Sequence, residues 1–339
     1  MDDLVRNAIK QAETLKRKPD STPWKADQPW AQPCYSWLDE QKEWRPVTAS
    51  QKPFIVISTV VVYSWNIDFM LPCPDTRVNA ALAYLQGLAN QLLSDPNAAV
   101  IINLQECVSS DLVTISQKQW VRDSFYMTDI DVSTWASGAY GTLTLVDRRL
   151  DITSCFRVHY SKTHMEREAL FVDVPYSHGK KLRLCNTHLE SLAREPPLRP
   201  AQMQVIASYM HAEEVSGAIV TGDFNAIQPF DMSLHSDNDL KDAYLELGGR
   251  EDTDEGYTWG QQALPELRKL YGCSRMDKVY YCGGDLKLLG FERFGADVEI
   301  SEEQKDQRDQ VLSLGFEKAW VTDHLGVKAV FGLTGNLRL

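Results

Sequence analysis

The segment IVTGDFNAI, residues 219–227, decides how this chain is read. Ile219, Val220 and Thr221 have the β-branched character of a buried strand, and the run stops at Gly222, Asp223, Phe224 and Asn225. A carboxylate and a carboxamide at the mouth of a buried strand are costly to desolvate unless something there uses them. In an extended chain, residues two apart point to the same side. Asp223 and Asn225 are therefore expected to address one ligand together.

The same punctuation recurs outward from this segment. FIVISTVVVYSW (54–65) runs into Asn66, AAVIINLQ (98–105) into Glu106, and KKLRLCNT (180–187) into His188. Asp277 stands in SRMDKVYY (274–281), and Asp323 and His324 in VTDHLGV (321–327). YGTLTLVD (140–147), ALFVDVPYS (169–177) and HLGVKAVFGL (324–333) read as further strands. Residues 75–94 and 197–214 have helical spacing, the first after an Asp start signal and the second opened by proline. Strands alternating with helices predict an α/β layered sandwich, with ligand groups at the C-terminal ends of strands.

Two regions follow from composition. Residues 1–50 begin with helical spacing at Leu4, Ala8 and Ala12 and continue through Trp24, Trp30, Trp37 and Trp44 among several prolines. This segment is expected to be an irregular extension that docks its aromatic rings on the body. Residues 51–339 carry the strand-and-helix pattern without a linker and are expected to form one catalytic-size domain. The seven cysteines are scattered and lack C-x-x-C spacing, which argues against a zinc site or a disulfide framework and for core thiols in a reducing intracellular compartment. No apolar run is long enough to span a membrane, and the charged N-terminus has no secretory apolar region. A net charge of −12 argues against tight non-specific duplex binding. The acid-rich stretches 248–256 and 297–310 are expected to be solvated loops.

The polar set is rich in oxygen donors, which suits a hard cation, Mg²⁺ or alternatively Mn²⁺. Glu106, helped by Asn66 and Asp323, would hold it. Asp223 would then be free to orient or deprotonate a water, and a histidine to stabilise phosphoryl charge, with Asp277 fixing that histidine's tautomer. Singly, each residue has an ordinary structural reading, such as a turn for Asp323–His324 or a helix cap for Asp223. Their joint occurrence, in this order and after buried strands, carries the inference.

With these residues in view, SWNID (64–68), LQE (104–106), NTHLES (186–191), GDFN (222–225), RMDKVYY (275–281) and TDH (322–324) resemble the endonuclease/exonuclease/phosphatase superfamily over residues 54–332. SWNID, NTHLES, YTW (257–259) and RMDK are most similar to its tyrosyl-DNA phosphodiesterase branch. The resemblance implies a four-layered α/β sandwich, two central mixed β-sheets flanked by helices. It implies Mg²⁺-dependent hydrolysis of 5′-phosphotyrosyl-DNA bonds, a DNA 5′ end carrying a tyrosyl or peptide adduct as partner, a role in repairing topoisomerase adducts, and a monomeric, nuclear or cytoplasmic enzyme.

The roles it implies are Asn66, Glu106 and Asp323 around the metal, and Asp223 and Asn225 on water and phosphate. His188 and Ser191 would contact phosphate oxygens, and His324, backed by Asp277, the transition-state charge. Trp259 would lie beside the DNA, with Tyr140 and Arg275 also on the substrate. Two departures stand out. Ile227 occupies the position where relatives carry an arginine, so Arg194, Arg199 or Arg275 would have to supply that contact, and residues 1–50 contain no counterpart of the ubiquitin-binding domain of animal members. Other phosphoesterases of the superfamily (abasic endonucleases, deadenylases, lipid or inositol phosphatases) are the alternative reading, and a catalytically silent binding module is a second.

Overall fold

A computed structural model of the chain describes residues 12–18, 21–47 and 57–337, together with Arg6 and Lys10. Leu4 and Ala8, and Phe54 to Val56 of the expected strand, lie outside the described residues. The chain opens with β1 (Pro29–Ala31), β2 (Tyr35–Leu38) and β3 (Glu43–Pro46). There follow β4 (Ile57–Asn66), α1 (Pro74–Leu93), β5 (Ala98–Cys107), α2 (Ser109–Ser116), α3 (Gln119–Ser124), β6 (Phe125–Met127) and β7 (Gly141–Asp147). The middle of the chain forms β8 (Ser154–His159), β9 (Glu168–Pro175), β10 (Lys181–His188), α4 (Arg199–Met210) and β11 (Val215–Asp223). The last elements are β12 (Lys241–Asp242), α5 (Ala243–Glu246), α6 (Pro265–Tyr271), β13 (Asp277–Cys282), β14 (Leu286–Phe294), α7 (Lys305–Ser313) and β15 (Gly326–Leu337).

The strands form two mixed sheets. One runs β1-β8-β9-β10-β11-β13-β12 and the other β14-β15-β4-β5-β7-β6-β2-β3. Period-two alternation sets the layers. Val60 and Val62 of β4, Ala99 and Ile101 of β5, Leu182 and Leu184 of β10 and Ile219 of β11 share the core between the sheets. Val61, Tyr63 and Trp65 face the other way, onto Val78, Leu82 and Leu85 of α1. Cys185, Ala218 and Val220 face Met203, Ile206 and Met210 of α4. The result is a helix–sheet–sheet–helix sandwich.

The N-terminal segment corrects one expectation. Residues 29–46 are regular, because β1 pairs with β8 and β2–β3 is a hairpin at the edge of the larger sheet. Pro29 and Pro46 mask this in the sequence, yet both sit on edge strands, where a missing N–H is tolerated. Trp24 stacks on His159 at 3.9 Å, and Trp37 meets Trp44 edge-on. The 248–256 stretch is also less solvated than its charge suggests, because Glu251 turns inward to Arg275 and Lys278. All seven cysteines are free, four of them buried. Among the described residues no helix is long and apolar enough to cross a membrane.

Candidate active site

The polar residues singled out in the sequence converge on one edge of the sandwich, although not all by the expected route. Asn66, His188 and Asp223 end β4, β10 and β11, and Glu106 is the next-to-last residue of β5. Asp277 instead begins β13, and Asp323 and His324 precede β15. Those two strands run antiparallel to β11 and β4, so their beginnings reach the same edge.

Asp223 is at the centre and is buried. Its Oδ2 accepts from Asn66 Nδ2 at 3.0 Å and lies 3.3 Å from His188 Nε2 and 3.8 Å from His324 Nε2. Its Oδ1 accepts the Asn225 backbone N–H at 2.8 Å. Asn225 has φ +48, so the strand has already turned. Asp223 and Asn225 are joined by this hydrogen bond rather than by strand alternation, and the Asn225 carboxamide donates to Leu189 O. Gly222 makes this possible. At φ +154, a Cβ there would lie 1.8 Å from the Thr187 carbonyl oxygen of neighbouring β10. Burial alone would raise the Asp223 pKa, but His324 and His188 hold it well below the usual carboxylate range.

His324 is clamped from behind. Its Nδ1 lies 2.8 Å from Asp277 Oδ2, and its Nε2 lies 3.8 Å from both Asp223 and Asp323. Burial opposes its charge, yet the carboxylates of Asp277, Asp223 and Asp323 push its pKa well above the ordinary histidine value. His188 is the opposite case. Burial, and then the Arg167 guanidinium, lower its pKa to about 4. Arg167 Nη1 contacts His188 Nδ1. A guanidinium can only donate, so Nδ1 accepts and the proton of the neutral ring sits on Nε2, facing Asp223.

Glu106 occupies a β-bulge at φ +59, which re-aims a side chain that strand alternation would turn away. Its Oε2 accepts the Phe69 N–H at 2.9 Å, and its Oε1 lies 3.7 Å from His188 Nε2. Burial, and then the Asp68 carboxylate, raise its pKa to about 7; the same two causes raise Asp323. Glu106, Asp68 and Asp323 are thus crowded, and no lysine or arginine pairs with any of them among the described residues. Such an oxygen-donor set fits a hard divalent cation. Asn66 fits less simply than expected, since its Oδ1 accepts the Asp68 N–H at 2.9 Å and its amide points to Asp223.

Three further placements differ from expectation. Arg275 is buried and bidentate on Asp242 (3.1 and 2.7 Å), with Glu251 on its other edge, so its guanidinium is turned inward onto two carboxylates and away from a substrate. Arg199 is likewise bound to Asp231, while Arg194 is half-buried and forms no ion pair among the described residues. Trp259 points into the site, its Nε1 donating to Asp323 Oδ2 at 2.7 Å, and Ile227 packs against it in a small apolar cluster. Ser191 is half-buried three residues beyond His188.

Tyr140 is buried, stacked on Phe69 at 4.3 Å beneath Arg167, and its hydroxyl donates to Met165 O. Arg167 and Asp68 are the residues that sequence reasoning passed over. Each carried the signal used elsewhere: Arg167 stands at the entrance of a buried strand, and Asp68 lies two residues beyond Asn66.

Known proteins resemble the chain in sequence and in fold. The chain is 27% identical over 229 residues to a 5′-tyrosyl-DNA phosphodiesterase of Caenorhabditis elegans, an alignment covering 66% of this chain and 58% of that protein. The chain thus spans less than two thirds of the relative's length. Truncated C. elegans TDP2 superposes with a TM-score of 0.58 at 22% identity, covering 81% of this chain and 97% of that one. D. rerio TDP2, crystallised with a single-strand DNA product, gives 0.59 at 18%, covering 81% and 99%. The human Nocturnin catalytic domain with bound sulfate gives 0.54 at 16%, covering 83% and 97%. The family model for the Endonuclease/Exonuclease/phosphatase family matches residues 63–324. With its sandwich, its acid-and-histidine edge and a family match over most of its length, the chain belongs to the endonuclease/exonuclease/phosphatase family.

Proposed function

We propose that the chain is a Mg²⁺-dependent phosphodiesterase acting on 5′-phosphotyrosyl ends of DNA. The observation that carries the reaction class is the position of Asp223, an ionised carboxylate between a neutral and a charged imidazole. The named activity of the C. elegans relative supports the substrate.

In this reading Asp223 orients a water for in-line attack. Its depressed pKa makes it a poor proton store in the resting site and suits it to fixing the water's direction. Asn66 and the Asn225 N–H hold both carboxylate oxygens still. His324, cationic through Asp277, and His188, through its Nε2–H, donate to phosphoryl oxygens as negative charge grows there. Glu106 and Asp323, with Asp68 beside them, would hold the divalent ion, and a cation bound there would neutralise charge on a non-bridging oxygen. Trp259 steadies Asp323 from the side. A tyrosine phenolate leaves with a conjugate-acid pKa of about 10, so no strong general acid is required.

The test is release of tyrosine from a 5′-tyrosyl single-stranded oligonucleotide with Mg²⁺ and with EDTA. Abasic duplex and poly(A) are assayed beside it. Faster cleavage of either alternative would overturn the substrate, and turnover in EDTA would overturn the metal.

A further inference from the structure

Arg77 lies on α1, outside the polar edge, and is buried. A guanidinium has five N–H donors, and here each finds a backbone carbonyl. Nε donates to Pro72 O at 2.9 Å. Nη1 donates to Ile67 O and Val321 O, both at 2.7 Å. Nη2 donates to Asp68 O at 2.7 Å and Leu71 O at 3.0 Å. No carboxylate forms an ion pair with it among the described residues, so its donors are committed wholly to backbone geometry.

Those carbonyls belong to two turns remote in sequence. The 67–72 turn carries Asp68 and presents the Phe69 N–H that holds Glu106. Val321 opens the turn carrying Asp323 and His324. Thr322 Oγ1, donating to Asn66 O at 2.8 Å, is the adjacent tie between the same segments.

We infer that Arg77 is a positioning residue for the divalent-ion site, joining from behind the two turns that present Asp68, Glu106 and Asp323. This rests on the metal-dependent reading above. A lysine at this position would keep the charge but offers three donors, too few for five carbonyls.

The full chain is titrated with Mn²⁺, free ion being read by electron paramagnetic resonance, for wild type, Arg77→Lys and Arg183→Lys. Arg183 is a second buried arginine, paired with Asp173 at the start of β10, far along the strand from His188. Arg77→Lys is expected to bind Mn²⁺ about 10- to 100-fold more weakly, the usual cost of losing an outer support of a metal site. Raising Mg²⁺ should recover most of the turnover that this variant loses at limiting Mg²⁺, as expected of a residue that acts through the ion site. Arg183→Lys should lower the melting temperature without moving Mn²⁺ affinity.

Mn²⁺ affinity of Arg77→Lys within about threefold of wild type overturns the inference. Absence of Mn²⁺ binding by wild type overturns the metal reading itself. A variant-free check is amide exchange in the metal-free wild type. Phe69, Met70, Val321 and His324 should open as one unit, and independent opening of the two turns counts against the inference.

Discussion

Asp223, the last residue of β11, and Asp277, the first of β13, are direct partners across two antiparallel strands, and His324 spans them. Its Nδ1 lies 2.8 Å from Asp277 and its Nε2 3.8 Å from Asp223. The acid that sets the charge of the imidazole and the acid beside its working nitrogen are thus fixed by one ladder of backbone hydrogen bonds.

Replacing Asp223 by Asn should lower kcat on the order of 10²–10⁴, the range for losing a positioned acid or base. Asp277→Asn removes the carboxylate hydrogen-bonded to His324 that does most to support its charge. It should lower kcat more than it raises KM. Steady-state kinetics on the tyrosyl oligonucleotide check both, and a pure KM effect for Asp277→Asn would contradict its backing role.

Arg275→Met should destabilise the protein by about 3–5 kcal/mol, because Asp242 is left buried without its partner while Glu251 keeps only Lys278. The kcat of the remaining folded molecules should be unchanged. Denaturant melts with active-site-normalised kinetics separate the two, and a large loss in kcat alone would return Arg275 to the substrate.

Gly222→Ala should cost on the order of 3 kcal/mol or more, since its Cβ meets the Thr187 carbonyl at 1.8 Å in a backbone region that side chains avoid. Thr187 precedes His188 and Gly222 precedes Asp223, so activity should fall in whatever folded fraction remains. A melting curve within a degree or two of wild type would show that the strands can part there.

Acid sensitivity should trace in part to His159. Burial, and then Arg157 and Arg17, lower its pKa from 6.5 to about 3. Between those values the unfolded chain binds a proton that the folded chain refuses, so stability rises with pH across that window and is lost as pH falls through it. His159→Asn should flatten the slope of melting temperature against pH between about 6.5 and 3. An unchanged slope would assign the acid loss to other groups.

Chelation gives the last expectation. If the crowded carboxylates hold a divalent ion, adding Mg²⁺ to EDTA-treated protein should raise its melting temperature with ion concentration, since a ligand of the native state stabilises it by mass action. Glu106→Gln should remove most of that rise.

The sequence by itself determined the central strands and the two longest helices of the body, and the polar residues that punctuate them. Burial leaves a period-two or helical imprint on the chain, and a carboxylate beside an apolar run shows because desolvating it is costly. Asn66, Glu106, His188 and Asp223 were legible for that reason. Tertiary structure alone decided partners and directions. Arg275 and Arg167 look equally eligible in the sequence, yet Asp242 and Glu251 claim the first while the second meets His188. Asp277 and His324 reach the edge at strand beginnings because β13 and β15 run antiparallel to their neighbours. Periodicity records how deeply a residue is buried; which group it faces is set by contacts between segments far apart along the chain.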